Sequence, residues 1–321
     1  MRILAPLAFV AAFLLPLASH AQSGYPDRPI RFIVPFTVGS GTDIVARTVS
    51  EPMSRSLGQP IVIENRPGAG GTIGAAQVAK SPPDGYTLLI QAAGHVANPS
   101  IYPNLPYDTF KDFAGVTPLA SLPNVLIVAP SKGWKTVQDL VDKARANPGT
   151  LNYGSAGNGS ATHMNAEVFR LSAKFNAQHV PFKGTPEVMT EVTAGRLDFF
   201  FAPLIGALPL IKDGRLQALA VGTAQRSPLL PEVPTTTEAG FAQSEYIFWV
   251  ALLAPSGTPR AIIDRLNAEA LKALASPEVR EKLAGFGAEP MPMSPAAFDA
   301  FIRTEAARMA QVVKSAGIQV Q

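Results

Sequence analysis

The chain of 321 residues contains no cysteine. That excludes a disulfide framework, a thiolate metal site, a cysteine nucleophile and a lipid-bearing cysteine at an export cut. Charge is scarce as well: Asp, Glu, Lys and Arg together make up 16% of the residues, where about a quarter is usual. No run of Lys or Arg reaches three, and the formal net charge is +3. Such a chain has no basic stripe with which to hold a nucleic-acid backbone. Its four histidines, His20, His95, His163 and His179, show no H-x-x-x-H spacing, so no metal site is expected. Nucleotide motifs also fail. Gly39-Ser40-Gly41 breaks G-x-G-x-x-G at Ile44, Gly68-Ala69-Gly70 breaks it at Ile73, and no G-K-[ST] occurs. No cofactor is expected.

The N-terminus has its own pattern. Arg2 precedes an apolar run from Ile3 to Leu17, and Ser19-His20-Ala21 offers a small-residue cut. A basic start, a short apolar segment and a small-residue site describe a secretory signal peptide over residues 1–21, cleaved after Ala21. The run falls short of the roughly twenty residues of a membrane-spanning helix, and Pro6 and Pro16 interrupt it. Export without cysteine points to a Gram-negative periplasm.

The remainder alternates short apolar runs with helical periodicity, which predicts an α/β fold with parallel strands covered on both faces. Two stretches share one grammar. Phe32–Arg47 (FIVPFTVGSGTDIVAR) and Tyr153–Phe169 (YGSAGNGSATHMNAEVF) each run from strand end through a small-residue loop into an amphipathic helix. Ser160 or Thr162 is placed to cap the second helix, and His163 follows in its first turn. A helix start presents unpaired N–H groups and the positive end of a dipole, so each element suits an anion. Two of them from separate parts of the chain predict a small acidic ligand gripped from two sides. Asp43, a carboxylate beside such a site, reads as a loop-fixing residue or as an acceptor for a ligand N–H or O–H. A hydrolase would need a nucleophile elbow, but Tyr153 stands where G-x-S-x-G requires glycine. Ser160 and His163 lie one helical turn apart, so an exported esterase-like hydrolase using that pair is the alternative. Tyr246–Ala254 reads as one long apolar strand, and the chain after Pro259 is helical. Those helices lack strands of their own, so they are expected to return to the first sheet. This divides the mature chain into residues 22–122 plus 252–321 and residues 123–251. His95–Phe113 reads as an irregular surface segment.

Phe32–Arg47, Val62–Gly74 (VIENRPGAGGTIG), Tyr153–Phe169, His179–Asp198 (HVPFKGTPEVMTEVTAGRLD) and Phe248–Pro259 (FWVALLAPSGTP) resemble, in order, the signature blocks of one family. It is the periplasmic receptor family of tripartite tricarboxylate transporters, the Bug-type solute-binding proteins. The resemblance implies a two-domain periplasmic-binding-protein fold of the type II kind, with a ligand cleft between domains. It implies a monomer that is not an enzyme, captures a small organic carboxylate and delivers it to membrane components of the transporter. A ligand-presenting sensory subunit would use the same cleft, and neighbouring genes separate the two cases. Carried over by position, Phe36, Gly39, Thr42 and Asp43 form the first-domain wall. Ser155, Gly157, Ser160, Thr162 and His163 form the second, with Asp198 beside them and Ala93 and Asn98 at the entrance. Two departures from the family pattern, Thr37-Val38-Gly39-Ser40-Gly41 and Phe200-Phe201-Ala202-Pro203, are expected to alter the lining. They count against the usual small dicarboxylate and favour a larger or aromatic carboxylate, so the expected ligand is a dicarboxylate, a tricarboxylate or an aromatic carboxylate.

Overall fold

A computed structural model describes residues 24–318; the signal-peptide expectation for residues 1–21 lies outside them. The first sheet opens with β1 (Ile30–Val34), which leads through the Pro35–Ser40 loop into α1 (Gly41–Leu57). Val45, Val49 and Met53 recur at helical spacing on the buried face of α1, and Gly58 ends it in the left-handed conformation. β2 (Ile61–Asn65), α2 (Thr72–Ala79) and β3 (Thr87–Ala92) follow, then a 3-10 turn (Ala93–Val96) and α3 (Asn98–Ile101). The segment from His95 does not wrap the surface at its start. His95, Val96, Ala97 and Asn98 are all buried, because the turn is wedged between the sheet and the second half of the molecule.

β4 (Phe113–Leu122) carries the chain out of the first sheet, and β5 (Asn124–Val128) continues it into the second. There the order is α4 (Val137–Ala146), β6 (Asn152–Ser155), α5 (Ala161–Ala173), β7 (Gln178–Pro181), α6 (Thr185–Thr193), β8 (Phe200–Pro203), α7 (Leu204–Lys212) and β9 (Gln217–Val221). β10 (Phe248–Pro255) brings the chain back, followed by α8 (Arg260–Ala275), α9 (Pro277–Gly285), the short β11 (Glu289–Pro290) and α10 (Pro295–Ala316). α8 packs on α1 and β4, and α10 packs on β4.

The first sheet has the order β11-β4-β10-β3-β1-β2. β1 pairs in parallel with β2 and β3, but β10 is antiparallel to both β3 and β4. The expectation of parallel strands therefore holds only for part of the sheet. β4 and β5 run outward and β10 runs back, so the returning strand must oppose its neighbours. β5 is likewise antiparallel to β8 and β9, whereas β6 and β7 pair in parallel. One apolar cluster covers the first sheet and includes residues of β10 and the C-terminal helices; two others, built from residues 125–241, lie on either side of the second.

Candidate functional site

The site lies where the loop after β1 and the loop after β6 meet. Each strand delivers a loop to the start of a helix, and both helix starts face the same small, nearly filled cavity of about 10 Å³. Its hydroxyls come from Ser40 and Thr42 on one side and Ser160, Thr162 and Thr185 on the other. Its apolar lining comes from Phe36, Phe248 and three alanines, Ala92, Ala156 and Ala161. No Lys or Arg lines it.

Local chemistry fixes both loops. Ser160 is the N-cap of α5, its Oγ accepting from the His163 N–H at 3.3 Å. Thr162 Oγ1 accepts the Ala156 N–H at 3.0 Å and lies 3.2 Å from Ser160 Oγ. Ser40 begins α1 without capping it, and its Oγ instead accepts the Thr185 N–H at 3.3 Å from the other half of the molecule. The first N–H groups of α1 are therefore left for a ligand or water. Asp43 is 1% exposed and accepts from Gly39 N, Arg47 Nε and Asn65 Nδ2 at 2.9–3.0 Å. Burial opposes its charge, but these three hydrogen bonds and Arg47 hold its carboxyl below the ordinary range. It is a loop-fixing residue. Gly39, at φ +81°, supplies the turn that lets Asp43 reach back to it.

Two seams join the halves beside the cavity. Thr37 Oγ1 donates to Glu187 Oε2 at 3.1 Å, and Tyr102 Oη donates to the Asn158 carbonyl at 2.9 Å. Close approaches accompany both: a Cβ at Gly70 would lie 1.8 Å from the Asn158 backbone carbonyl oxygen, and one at Gly184 1.8 Å from the Thr37 side-chain Oγ1.

Of the residues singled out in the sequence, Phe36, Thr42, Ser160 and Thr162 line the cavity. Ser155 and Gly157 stand behind it, bonded to each other. Ala93 and Asn98 are buried in the segment against the Gly159 turn, where Asn98 Nδ2 donates to Tyr107 Oη at 3.3 Å. His163 does not line the cavity; its Nδ1 accepts the Gly159 N–H at 3.1 Å. Ser160 and His163 thus spend these polar atoms on backbone, and no bond joins their side chains. Asp198 is elsewhere. It accepts from Lys132 Nζ and from the Asn152 N–H, both at 2.7 Å, at the N-terminal edge of β6. That is about 10 Å of extended strand from the loop that follows Ser155. The departure at Phe200-Phe201 does not reach the lining either, because the two rings point into separate cores. Thr185, Phe248 and the alanines were not foreseen, and Ser40 only as part of the departing Thr37–Gly41 loop, of which Ser40 and Gly41 reach the lining. Thr185 had a signal, being the first residue of a third helix entered from a glycine, Gly184.

A larger open groove of about 520 Å³ lies between the ends of α4, α5 and α10. Its arginines serve helix ends: Arg145 donates to the Ala173 carbonyl and Arg170 to those of Phe175 and Ala316. Among the described residues no helix is long and apolar enough to cross a membrane, and no three potential metal ligands gather.

Two αβ bodies joined by strands that cross once each way, with a hydroxyl-lined cavity between them, define a two-lobed solute-binding protein. Residues 45–318 match the family described as the tripartite tricarboxylate transporter family receptor, and the chain belongs to that family. A Pseudomonas relative encoded in the tcbD-tcbE intergenic region is 37% identical over 96% of this chain and 92% of its own length. The structure of the periplasmic binding protein BugD matches with a TM-score of 0.88 at 32% identity, covering 92% of this chain and all of BugD. An R. palustris protein in a structure with adipate matches equally well, TM-score 0.88 at 37% identity over the same shares.

Proposed function

We propose that the chain is an exported receptor, cleaved after Ala21, that captures a small organic carboxylate in the cleft and delivers it to the membrane components of a tripartite transporter. Residues 22–122 plus 252–321 form one lobe in this reading, residues 123–251 the other, and the receptor works as a monomer. The observation that carries it is the convergence of two helix starts and five hydroxyls on one buried cavity. Helix-start N–H groups and neutral hydroxyls stabilise an anion without a counter-charge, and the adipate carried by a relative is such an anion. The lobes close on the ligand because only the closed state brings both walls to it. A thermal-shift screen of the mature chain against aliphatic and aromatic mono-, di- and tricarboxylates tests this. A ligand at about 1,000 times its Kd adds about 4 kcal/mol of stability. If no carboxylate in the panel raises the melting temperature, the reading fails.

A further inference from the structure

Behind the Ala156–Ser160 loop stands a column of rings that the ligand reading does not use. The imidazoles of His163 and His179 lie face to face, 3.8 Å between centroids and 8° from parallel. Tyr153 and then Phe199 extend the stack, at 5.0 Å and 5.3 Å. Each imidazole reaches a different glycine of the loop. His163 Nδ1 accepts the Gly159 N–H at 3.1 Å. His179 Nε2 lies 2.6 Å from Ser155 Oγ, which is 3.0 Å from Gly157 N and 3.1 Å from Gly157 O. All three Ser155 contacts are satisfied together in one arrangement: His179 Nε2–H donates to Oγ, the hydroxyl donates to the Gly157 carbonyl, and the Gly157 N–H donates back to Oγ.

Gly157 and Gly159 are at φ +115° and +74°. Glycine has the most alternatives to such a conformation, so something outside the loop must select it. The selection matters because this loop carries the closing contacts. Asn158 offers its carbonyl to Tyr102 across the cleft, and the Gly159 carbonyl presses on Gly94.

We propose that His163 and His179 are positioning residues, a stacked pair that holds Gly157 and Gly159 in the shape the closed cleft requires without touching the ligand. Histidine suits the task because its ring stacks flat while each edge nitrogen acts as a donor or an acceptor. Phenylalanine would only stack and glutamine would only bond. Both rings take the Nε2–H form in this arrangement. A second proton on His163 would remove the acceptor for Gly159 and set a cation against the other ring. Burial opposes that, aided by Arg170, and holds His163 down to about 3. Burial and the His163 ring hold His179 down to about 2, with Glu167 working the other way. Tyr153 on β6 and Glu167 and Arg170 on α5 are the other titratable or charged groups around the pair. They are bonded among themselves.

The loop can be read without ligand, so the test stands apart from the carboxylate reading. It uses amide hydrogen exchange on the full mature chain. His163→Phe keeps the stack and drops the acceptor, and the Gly159 amide should then exchange about tenfold faster while amides inside α5 keep their protection. His163→Gln, which can accept, should restore it, and Ser155→Ala should release the Gly157 amide in the same way. Nitrogen NMR at neutral pH should find both imidazoles neutral and protonated on Nε2. An unchanged Gly159 amide in His163→Phe, or a proton on His163 Nδ1, overturns the proposal. So does protection lost evenly across α5 and β6, which would mark a role in the fold at large. Where a carboxylate of the panel binds, His163→Phe should also weaken it. A panel without any binder counts against the carboxylate reading, and the exchange result still decides this one.

Discussion

Gly94, on the 3-10 turn after β3, and Gly159, in the loop before α5, meet across the cleft with no room for a side chain. A Cβ at Gly94 would lie 2.2 Å from the Gly159 carbonyl oxygen and 2.9 Å from the Ala161 nitrogen. Gly94 lies outside the left-handed region that favours glycine, so its missing side chain serves the approach of the two lobes.

Gly94→Ala should therefore leave the unliganded protein as stable as the parent and impair only its closed form. Overlap of this kind costs about 1–3 kcal/mol, which is about tenfold to a hundredfold in affinity. Titration calorimetry with the best carboxylate, alongside unliganded melting, reads both halves. Parent-like affinity would show that the lobes bind without meeting at Gly94.

Removing a hydroxyl from either wall should weaken the grip from that side. Bonds to a charged group are worth about 1.5–3 kcal/mol, so Thr42→Ala and Ser160→Ala should each cost about tenfold to a hundredfold in affinity. Ser160→Ala also loses the α5 cap, about 1 kcal/mol of stability; Thr42→Ala loses no cap. Tight binding by both variants would mean the carboxylate is held elsewhere.

Asp198→Ala separates fold from site. The carboxylate ties Lys132 and the start of β6 together, so its loss should cost about 1.5–3 kcal/mol of unfolding free energy. Carboxylate affinity should stay at the parent value. A large loss of affinity in the folded variant would put Asp198 back at the site.

Acid should unfold the protein through its histidines. Burial lowers His95 and His163 to about 3 and His179 to about 2, whereas an unfolded histidine titrates near 6.5. Between those values the unfolded chain takes up protons that the folded one refuses. The contribution of these groups is whole above about pH 6.5 and is lost as pH falls toward 3, at up to about 1.4 kcal/mol per histidine per pH unit. Denaturant titrations from pH 7 to 4 measure the slope. A His95→Phe variant with an unreduced slope would speak against that histidine's share.

The elements were legible where local chemistry announces them. Ser160 before an apolar-periodic run marks the start of α5, and Pro295–Ala316 forms as its periodicity predicts. Strand direction was not legible, because the apolar run of β10 reads the same either way and only the crossing of the chain decides it. Asp198 was placed beside the cavity by the resemblance alone; the strand paired with β5 begins only at Phe200, and Asp198, before its start, is held by Lys132 Nζ and the Asn152 N–H. Thr42 and Ser160 were legible because a hydroxyl at a helix start has a specific use. Phe248 was not, since an aromatic residue in an apolar strand has no mark showing that one edge meets a cavity. The partnership of His163 with His179 joins α5 to β7 and exists only in three dimensions.

The seams Thr37–Glu187 and Tyr102–Asn158 also bear on time. Both bonds join one lobe to the other, so a cargo that leaves by the parting of the lobes leaves only after they break. Departure then proceeds at the rate at which the lobes part, multiplied by the chance of escape before they meet again. Two cargoes of unequal affinity would share the first factor and differ in the second. In the proposed transport, a recipient that prises the seams apart would gain more than one that competes for the carboxylate.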